Sequence, residues 1–400
     1  MNSTTTKQNS TEIFQEYLRI PTVQPNPDYY PAVDFLRRHA AESGLDFLVF
    51  EPVEKRPCVI LSWEGTEPTL PSILLNSHVD VVPVYPNHWK YPPFSAHKDA
   101  DGNIFARGTQ DMKSVGIQYL EAVKRLKTGG KRLKRTIHLC FVPDEEIGGE
   151  LGMKSFVKTD DFKQLNVGFA MDEGVASEDE TFGVYYAERS VWWLEVTIVG
   201  NPGHGSRFIE GTAAEKARRL INRLLDFREE QRLKLHADPN AALGDVISVN
   251  WTLAKGGVQV NVVPSDFVLN FDIRVPPNEL KSFGKVLDSF LQEAGSPKDI
   301  KTRWIHQDLN DCTTATDASN PFWTAFEGVI HKREMKIRKE IFFGSTDARY
   351  LRERGIPAIG FSPINNTPQL LHDHNEFLNE SVFLRGIEIY EQIITAVGNV

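Results

Sequence analysis

The chain has 400 residues, a length that suits two domains of ordinary size. With 40% hydrophobic and 25% charged residues it has the material for a large core, which excludes wholesale disorder, and its net charge of −9 speaks against a nucleic-acid partner. No apolar run approaches the roughly 20 residues of a membrane-spanning helix. The opening MNSTTTKQNS lacks the apolar stretch of a signal peptide, so the cytosol is the expected compartment. Three cysteines, Cys58, Cys140 and Cys312, show no CxxC spacing and give no disulfide framework. Cys58 and Cys140 sit in apolar strand-like runs and read as small buried residues.

In chain order, a polar tail leads into a helix that Pro21 ends, and residues 31–43 read as a second helix. Strand-like runs follow at 58–63 (CVILSW) and 72–77 (SILLNS). A helical pattern extends from Lys113 to Lys127, where Gly129-Gly130 stops it. A strand at 136–142, a helix near 150–158 and a strand at 167–171 come next. Strands alternating with helices, and apolar along nearly their whole length, predict an α/β fold with a largely parallel sheet covered on both faces. After about residue 187 the pattern becomes strict alternation. Trp192, Leu194, Val196 and Ile198 share one face, as do Phe267, Leu269, Phe271 and Ile273. Such strands suit an antiparallel sheet with one packed face, covered by the helical stretches at 212–235 and 278–294. From about 308 the α/β pattern returns, with helices near 321–332 and from Thr346 to Arg354, the strand IPAIGF and a last helix. The expected organisation is a mixed, mostly parallel α/β domain over 1–187 and 308–400, interrupted by an α+β insert over 188–307.

Three of the core strands run out into polar residues: Ser77-His78-Val79-Asp80, Pro143-Asp144-Glu145-Glu146 and Asp172-Glu173-Gly174. Ligands of open α/β sheets bind beyond the carboxyl ends of the strands, so these tips point to one crevice. Asp111 precedes the 113–127 helix and adds a fourth acidic position. Taken singly, His78 reads as a satisfied histidine, Asp80 as a turn residue, Glu145-Glu146 as a solvated first helical turn and Asp111 as an N-cap. Taken together, carboxylates crowded into one cleft repel unless cations neutralise them, and histidine with carboxylate suits zinc. Charge counting favours a pair of divalent ions, which in such sites lie about 3.5–4 Å apart and share a ligand. Gly203-His204-Gly205-Ser206 is not a GxSxG elbow, and Lys255-Gly256-Gly257 is a turn without the lysine-serine ending of a phosphate loop.

At these residues the sequence resembles the M20 family of zinc amidohydrolases and peptidases. The likeness is carried, in order along almost the whole chain, by SHVDVVPV, DGNIFARGTQDMK, PDEEIGG, MDEG, GHGS, GGVQVNVVP, DIR, GSTDARY and LLHDHNE. The first two stretches resemble the aminoacylase branch more than the carboxypeptidase or desuccinylase branches. The resemblance implies two Zn²⁺ per subunit, one on His78 and Glu173, the other on Glu146 and His372, with Asp111 bridging them. It selects His372 over His374 by its distance from Glu376. It implies Glu145 as the general base and Asp80 as the residue that orients the His78 imidazole. The insert would form a homodimer interface, with His204 reaching the partner's site to stabilise the oxyanion. Asn261, Arg274 and Arg349 would hold a substrate carboxylate. The implied activity is hydrolysis of N-acyl-L-amino acids, a small-molecule reaction with no nucleic-acid or membrane partner. The alternatives are a dipeptidase or carboxypeptidase of the same family, and a catalytically silent dimeric binding or scaffold protein.

Overall fold

The computed structural model describes residues 9–400 and divides into two compact units. The first runs to Tyr186 and resumes over Thr314–Lys339 and Thr346–Val400; the second comprises Ala187–Thr313 and Glu340–Ser345.

An eight-stranded sheet organises the first unit. Its spatial order is Asp46–Val53, Arg56–Trp63, Ile137–Val142, Ser72–His78, Val167–Asp172, Ala358–Gly360, Thr181–Glu188 and Lys336–Phe342. The middle is parallel: Ser72–His78 pairs in parallel with Ile137–Val142 on one side and Val167–Asp172 on the other, and Ala358–Gly360 continues the pattern. The flank that opens the chain's sheet is antiparallel. Asp46–Val53 and Arg56–Trp63 form a hairpin closed at Glu54-Lys55, with Lys55 at φ 61°, and Arg56–Trp63 runs antiparallel to Ile137–Val142. A hairpin needs only a tight turn where a parallel pair needs a crossover, so the short loop there dictates the antiparallel start.

Side chains that alternate along the central strands enter two different cores. Leu61, Ile73, Leu75, Leu139, Phe141, Phe169 and Met171 pack beneath the helices Ser10–Leu18, Tyr30–Ser43, Lys113–Thr128 and Glu380–Val397. Cys58, Ile60, Leu74, Cys140, Val142 and Ala170 face the other way, against Met153, Phe156, Phe162 and Leu351. Burial on both faces is why these strands are apolar throughout rather than alternating. Gly116 lets the helix Lys113–Thr128 lie close to the sheet: a Cβ there would come within 2.7 Å of Ser77 Oγ and 2.9 Å of the Phe141 ring.

The second unit is a four-stranded antiparallel sheet in the order Ser248–Gly256, Asp266–Val275, Ser190–Val199, Ile300–Gln307. Trp192, Leu194, Val196, Ile198, Leu269, Phe271 and Ile273 are buried under the helices Ala213–Ala237 and Leu280–Ala294, which supply Ala217, Leu220, Leu224, Phe283, Leu287 and Phe290. Thr212 starts the longer helix with a capping box, its hydroxyl accepting from the Glu215 N–H while the Glu215 carboxylate takes the Thr212 N–H. The mixed α/β domain and the antiparallel α+β insert expected from the sequence are both present. No helix among the described residues is long and apolar enough to cross a membrane.

Candidate metal centre

The three parallel strands in the middle of the sheet end at the same edge. Val142 is the register partner of His78, and Asp172 closes the neighbouring strand just before Glu173. Beyond Val142 the chain turns sharply through Asp144 at φ 64°, a short 3₁₀ turn Glu145–Ile147, and Gly148 and Gly149 at φ 102° and 65°. Left-handed backbone comes readily to glycine and is tolerated by aspartate, so the spelling Asp-Glu-Glu-Ile-Gly-Gly makes a tight cup instead of a solvated helix start. Asp111 is not a cap either: Met112 precedes the helix Lys113–Thr128 and makes no side-chain capping bond.

This backbone brings one histidine and four carboxylates together, with a second histidine on the rim. His78 Nε2 lies 2.9 Å from Asp111 Oδ1, 3.6 Å from Glu173 Oε2 and 4.0 Å from Glu145 Oε2. His372 Nε2 lies 3.2 Å from Asp111 Oδ2 and 3.0 Å from Glu146 Oε2. Asp111 thus turns one oxygen toward a His78–Glu173 pair and the other toward a His372–Glu146 pair. His374 goes elsewhere, tilted against His88 at 4.7 Å and edge-on to Tyr85 at 6.0 Å. His78 Nδ1 is 2.9 Å from the backbone carbonyl of Asp80, closer than the 3.6 Å to its carboxylate. That carboxylate instead accepts the backbone N–H groups of Glu145 and Glu146, each at 3.1 Å.

A second layer holds these groups, and sequence reasoning missed it. The buried Glu376 accepts Arg107 Nη1 at 2.7 Å and the N–H groups of Gly108, Gln110 and Asp111 at 3.0, 2.6 and 3.3 Å, so it gathers the loop that presents Asp111. Asp144 accepts from Arg56 Nε, from the Tyr29 hydroxyl at 2.6 Å and from Gln24 Nε2 at 3.0 Å. Glu376 and Asp144 lie inside the quoted motifs, which was a usable signal; Gln24, Tyr29 and Arg56 lie far away in the chain and carried none. Arg349 also belongs to this unit, donating to the Gly148 carbonyl at 2.8 Å beside the cup. His204, Asn261 and Arg274 belong to the second unit. There His204 Nδ1 lies 2.8 Å from Ser206 Oγ, and Arg274 pairs with Asp272 through two contacts of 2.6 and 2.9 Å.

The electrostatics show what the cluster lacks. Burial, reinforced by Glu173, pushes the Glu145 carboxyl well above its usual range, and burial with the Asp111 charge does the same to Glu173. Burial and Asp111 push Glu146 up to about 7. Burial disfavours a charged His78, yet the charge of Glu173 and the hydrogen bond with Asp111 outweigh it and raise that imidazole well above normal. Hydrogen bonds with Asp111 and Glu146 lift His372 to about 10. Burial alone would raise Asp111, but the hydrogen bonds from His372 and His78 win and hold it below the carboxylate range. The cluster therefore keeps protons where cations would sit. The donors also suit cations: two sets, His78–Asp111–Glu146 and His78–Glu145–Glu173, each offer atoms within 4.8 Å of one another, and Glu146 Oε1 is buried without a hydrogen-bond partner. Oxygen and imidazole nitrogen in this proportion fit a divalent transition metal.

The upward shifts of Glu146 and His372 have a consequence with a definite sign. In the metal-free protein each group's contribution to folding is complete below its ordinary value and is lost as the pH rises. For Glu146 the loss runs from 4.5 to about 7, and for His372 from 6.5 to about 10. A metal must displace those protons, so its apparent affinity rises with pH through about 7 for Glu146 and on toward about 10 for His372, with protons released on binding. Calorimetry of Co²⁺ or Zn²⁺ uptake in buffers of different ionisation enthalpy measures that release, and a pH-independent affinity would contradict the assignment.

Comparison with known proteins accords with this arrangement. Residues 74–396 match the peptidase family M20/M25/M40. Aminoacylase-1 of Mus musculus is 51% identical over 392 residues, which cover 98% of this chain and 96% of that protein. Aminoacylase-1 of Homo sapiens is 49% identical over 394 residues with the same coverage, and that of Dictyostelium discoideum is 47% identical over the full length of both. Among solved structures, a tripeptidase from Staphylococcus aureus shares the fold at a TM-score of 0.74 with 19% identity, over 98% of this chain and 99% of its own. A dinuclear metal-binding peptidase of the M20 family from Bacillus subtilis does so at 0.69 with 17% identity, over 97% and 96%. With the family match spanning most of the chain and relatives near half identity from end to end, the chain belongs to the M20/M25/M40 peptidase family.

Proposed function

We propose that this chain is a metal-dependent amidohydrolase that cleaves N-acyl-L-amino acids to a carboxylate and a free L-amino acid, with two Zn²⁺ held in the first unit. The observation that carries this reading is the placement of Asp111, whose two oxygens face separate histidine–glutamate pairs. The likeness to aminoacylase-1 along almost the whole chain supports the substrate class. His78 and Glu173 would hold one ion, Glu146 and His372 the other, and Asp111 both.

The bound ions supply the positive charge that polarises the amide carbonyl and lowers the pKa of the attacking water. Glu145 is the general base. Its carboxylate lies 4.0 Å from His78 Nε2, beside the groups that would hold the ions, where it can take a proton from the water and give it to the leaving amine. Asp80 fixes the turn that carries the base. His204 donates a hydrogen bond to the developing oxyanion from the partner protomer of a homodimer. Nearly fully exposed Phe208, Val258 and Val260 in the second unit supply apolar surface for such an interface. Asn261, Arg274 and Arg349 hold the substrate carboxylate. Three free cysteines, two of them buried, accord with a cytosolic setting.

A panel of N-acyl amino acids and dipeptides on metal-loaded protein tests the substrate class: N-acetylmethionine is cleaved faster than any dipeptide, and the reverse order would replace the reading with a dipeptidase. Glu145→Gln lowers kcat by about 10²–10⁴-fold while zinc content stays at the parent level; equal loss of zinc would make Glu145 a ligand. His204→Ala lowers kcat by about 10²–10³-fold. Mixed dimers of His204→Ala with Glu145→Gln recover activity, because one of the two sites then holds both an intact base and an intact histidine. Mixed dimers as inactive as their parents would refute donation across the interface.

A further inference from the structure

One buried side chain outside the metal centre touches the groups that shape it. Gln24 lies in the segment Thr22–Gln24, which is laced to the stretch between His78 and Val81. Val81 N–H donates to the Thr22 carbonyl at 2.9 Å, Gln24 N–H to the Val81 carbonyl at 3.0 Å, and Thr22 Oγ1 to the Val79 carbonyl at 2.6 Å. Its amide nitrogen stands 2.8 Å from Asp80 Oδ2, 3.0 Å from Asp144 Oδ1 and 3.1 Å from the Tyr29 hydroxyl. Its amide oxygen takes the Asn26 N–H at 3.3 Å. Carboxylates accept and do not donate, so this amide orientation is the one the surroundings allow.

The two acids it joins flank the turn that carries the base. Asp80 grips the backbone of Glu145 and Glu146 with its two oxygens and His78 Nδ1 with its carbonyl. Asp144 immediately precedes that turn in left-handed backbone, and its carbonyl accepts the Gly149 N–H at 2.7 Å. Arg56 and Tyr29 already serve Asp144. Asp80, in contrast, receives only one side-chain amide among its hydrogen bonds, that of Gln24. Without that donor the two buried carboxylates lose the amide that joins them, and each is free to turn toward another partner. Such a turn of Asp80 loosens its hold on Glu145 and Glu146.

We propose that Gln24 is a positioning residue for the hydrolysis: its NH₂ group ties Asp80 to Asp144 and thereby fixes the backbone that presents the base Glu145 and the ligand Glu146. This rests on the metal-dependent reading above. It differs from a purely structural role because the tie acts on the cup and not on the core.

The test uses Gln24→Met, which keeps the length of the side chain and removes both donors. Metal-free parent and variant are titrated with Zn²⁺ against a chromophoric chelator, their thermal unfolding is compared without metal, and kcat and KM are measured at saturating zinc. The expected result is an affinity for Zn²⁺ lower by about 10- to 100-fold, a comparable loss in kcat, KM within about threefold, and an unfolding midpoint lowered by no more than about 5 °C. Affinity and kcat within about threefold of the parent would overturn the inference, as would losses matched by a collapse of the unfolding midpoint. If Gln24→Met does not fold, Tyr29→Phe decides, since it removes the hydroxyl that braces the same carboxylate: reduced zinc affinity in a folded variant supports the tie, and parental affinity refutes it. A parent that takes up no zinc would remove the metal-dependent reading and this inference with it, whereas a parent that binds zinc no better than Gln24→Met removes this inference alone.

Discussion

Neutralising buried acid is the constraint on which the first unit depends. At the strand tips and just beneath them lie Asp80, Asp111, Asp144, Glu145, Glu146, Asp172, Glu173 and Glu376, all buried or nearly so. Leaving such groups ionised without partners costs several kcal/mol apiece, so each needs an answer. Glu376 has Arg107 and a fan of backbone donors; Asp144 has Arg56, Tyr29 and Gln24. Asp111 has two histidines. Glu145, Glu146 and Glu173 have no lysine or arginine among their described ion pairs, and burial raises all three carboxyls, so divalent cations suit them as partners.

The same arrangement separates groups that hold from groups that react. Asp80 and Glu376 grip backbone N–H groups, so their charge organises loops and does no chemistry. Asp111, Glu146 and Glu173 turn their oxygens toward imidazole nitrogens. Glu145 differs from its neighbour Glu146 by one residue within a 3₁₀ turn, and that step swings its carboxylate from the His372 pair to the vicinity of His78. The sharpness of the Asp144–Gly149 turn is what lets adjacent residues serve different roles.

Much of this was legible in the chain. The apolar runs at 58–63, 72–77 and 136–142 announced strands buried on both faces, and the alternation at 191–199 and 267–275 announced the antiparallel insert, because side-chain period reports directly how many faces a strand buries. The hairpin Asp46–Val53 with Arg56–Trp63 was not anticipated as a sheet edge: its first strand is largely exposed and lacks a clean period. The insert is expected over 188–307, whereas the second compact unit covers Ala187–Thr313 and takes in Glu340–Ser345, a short return that no local pattern marks. Asp111, Glu145 and Glu146 each had an ordinary local explanation as cap or solvated turn, and only their company argued otherwise.

Taken by itself, the amino-acid sequence determined the periodicities, the punctuation and therefore the classes of the two domains, along with the strand ends that carry acid and histidine. Those properties are local, since they depend on residues within one turn or one strand of each other. Tertiary structure alone decided that the Asp80 carboxylate holds a turn while its carbonyl holds the imidazole, and that Gln24, Tyr29, Arg56 and Glu376 stand behind the clustered acids and histidines. Such contacts join positions tens to hundreds of residues apart. No pattern within a single strand or helix encodes them, because they exist only after burial has brought distant segments together and obliged each polar group to find a partner.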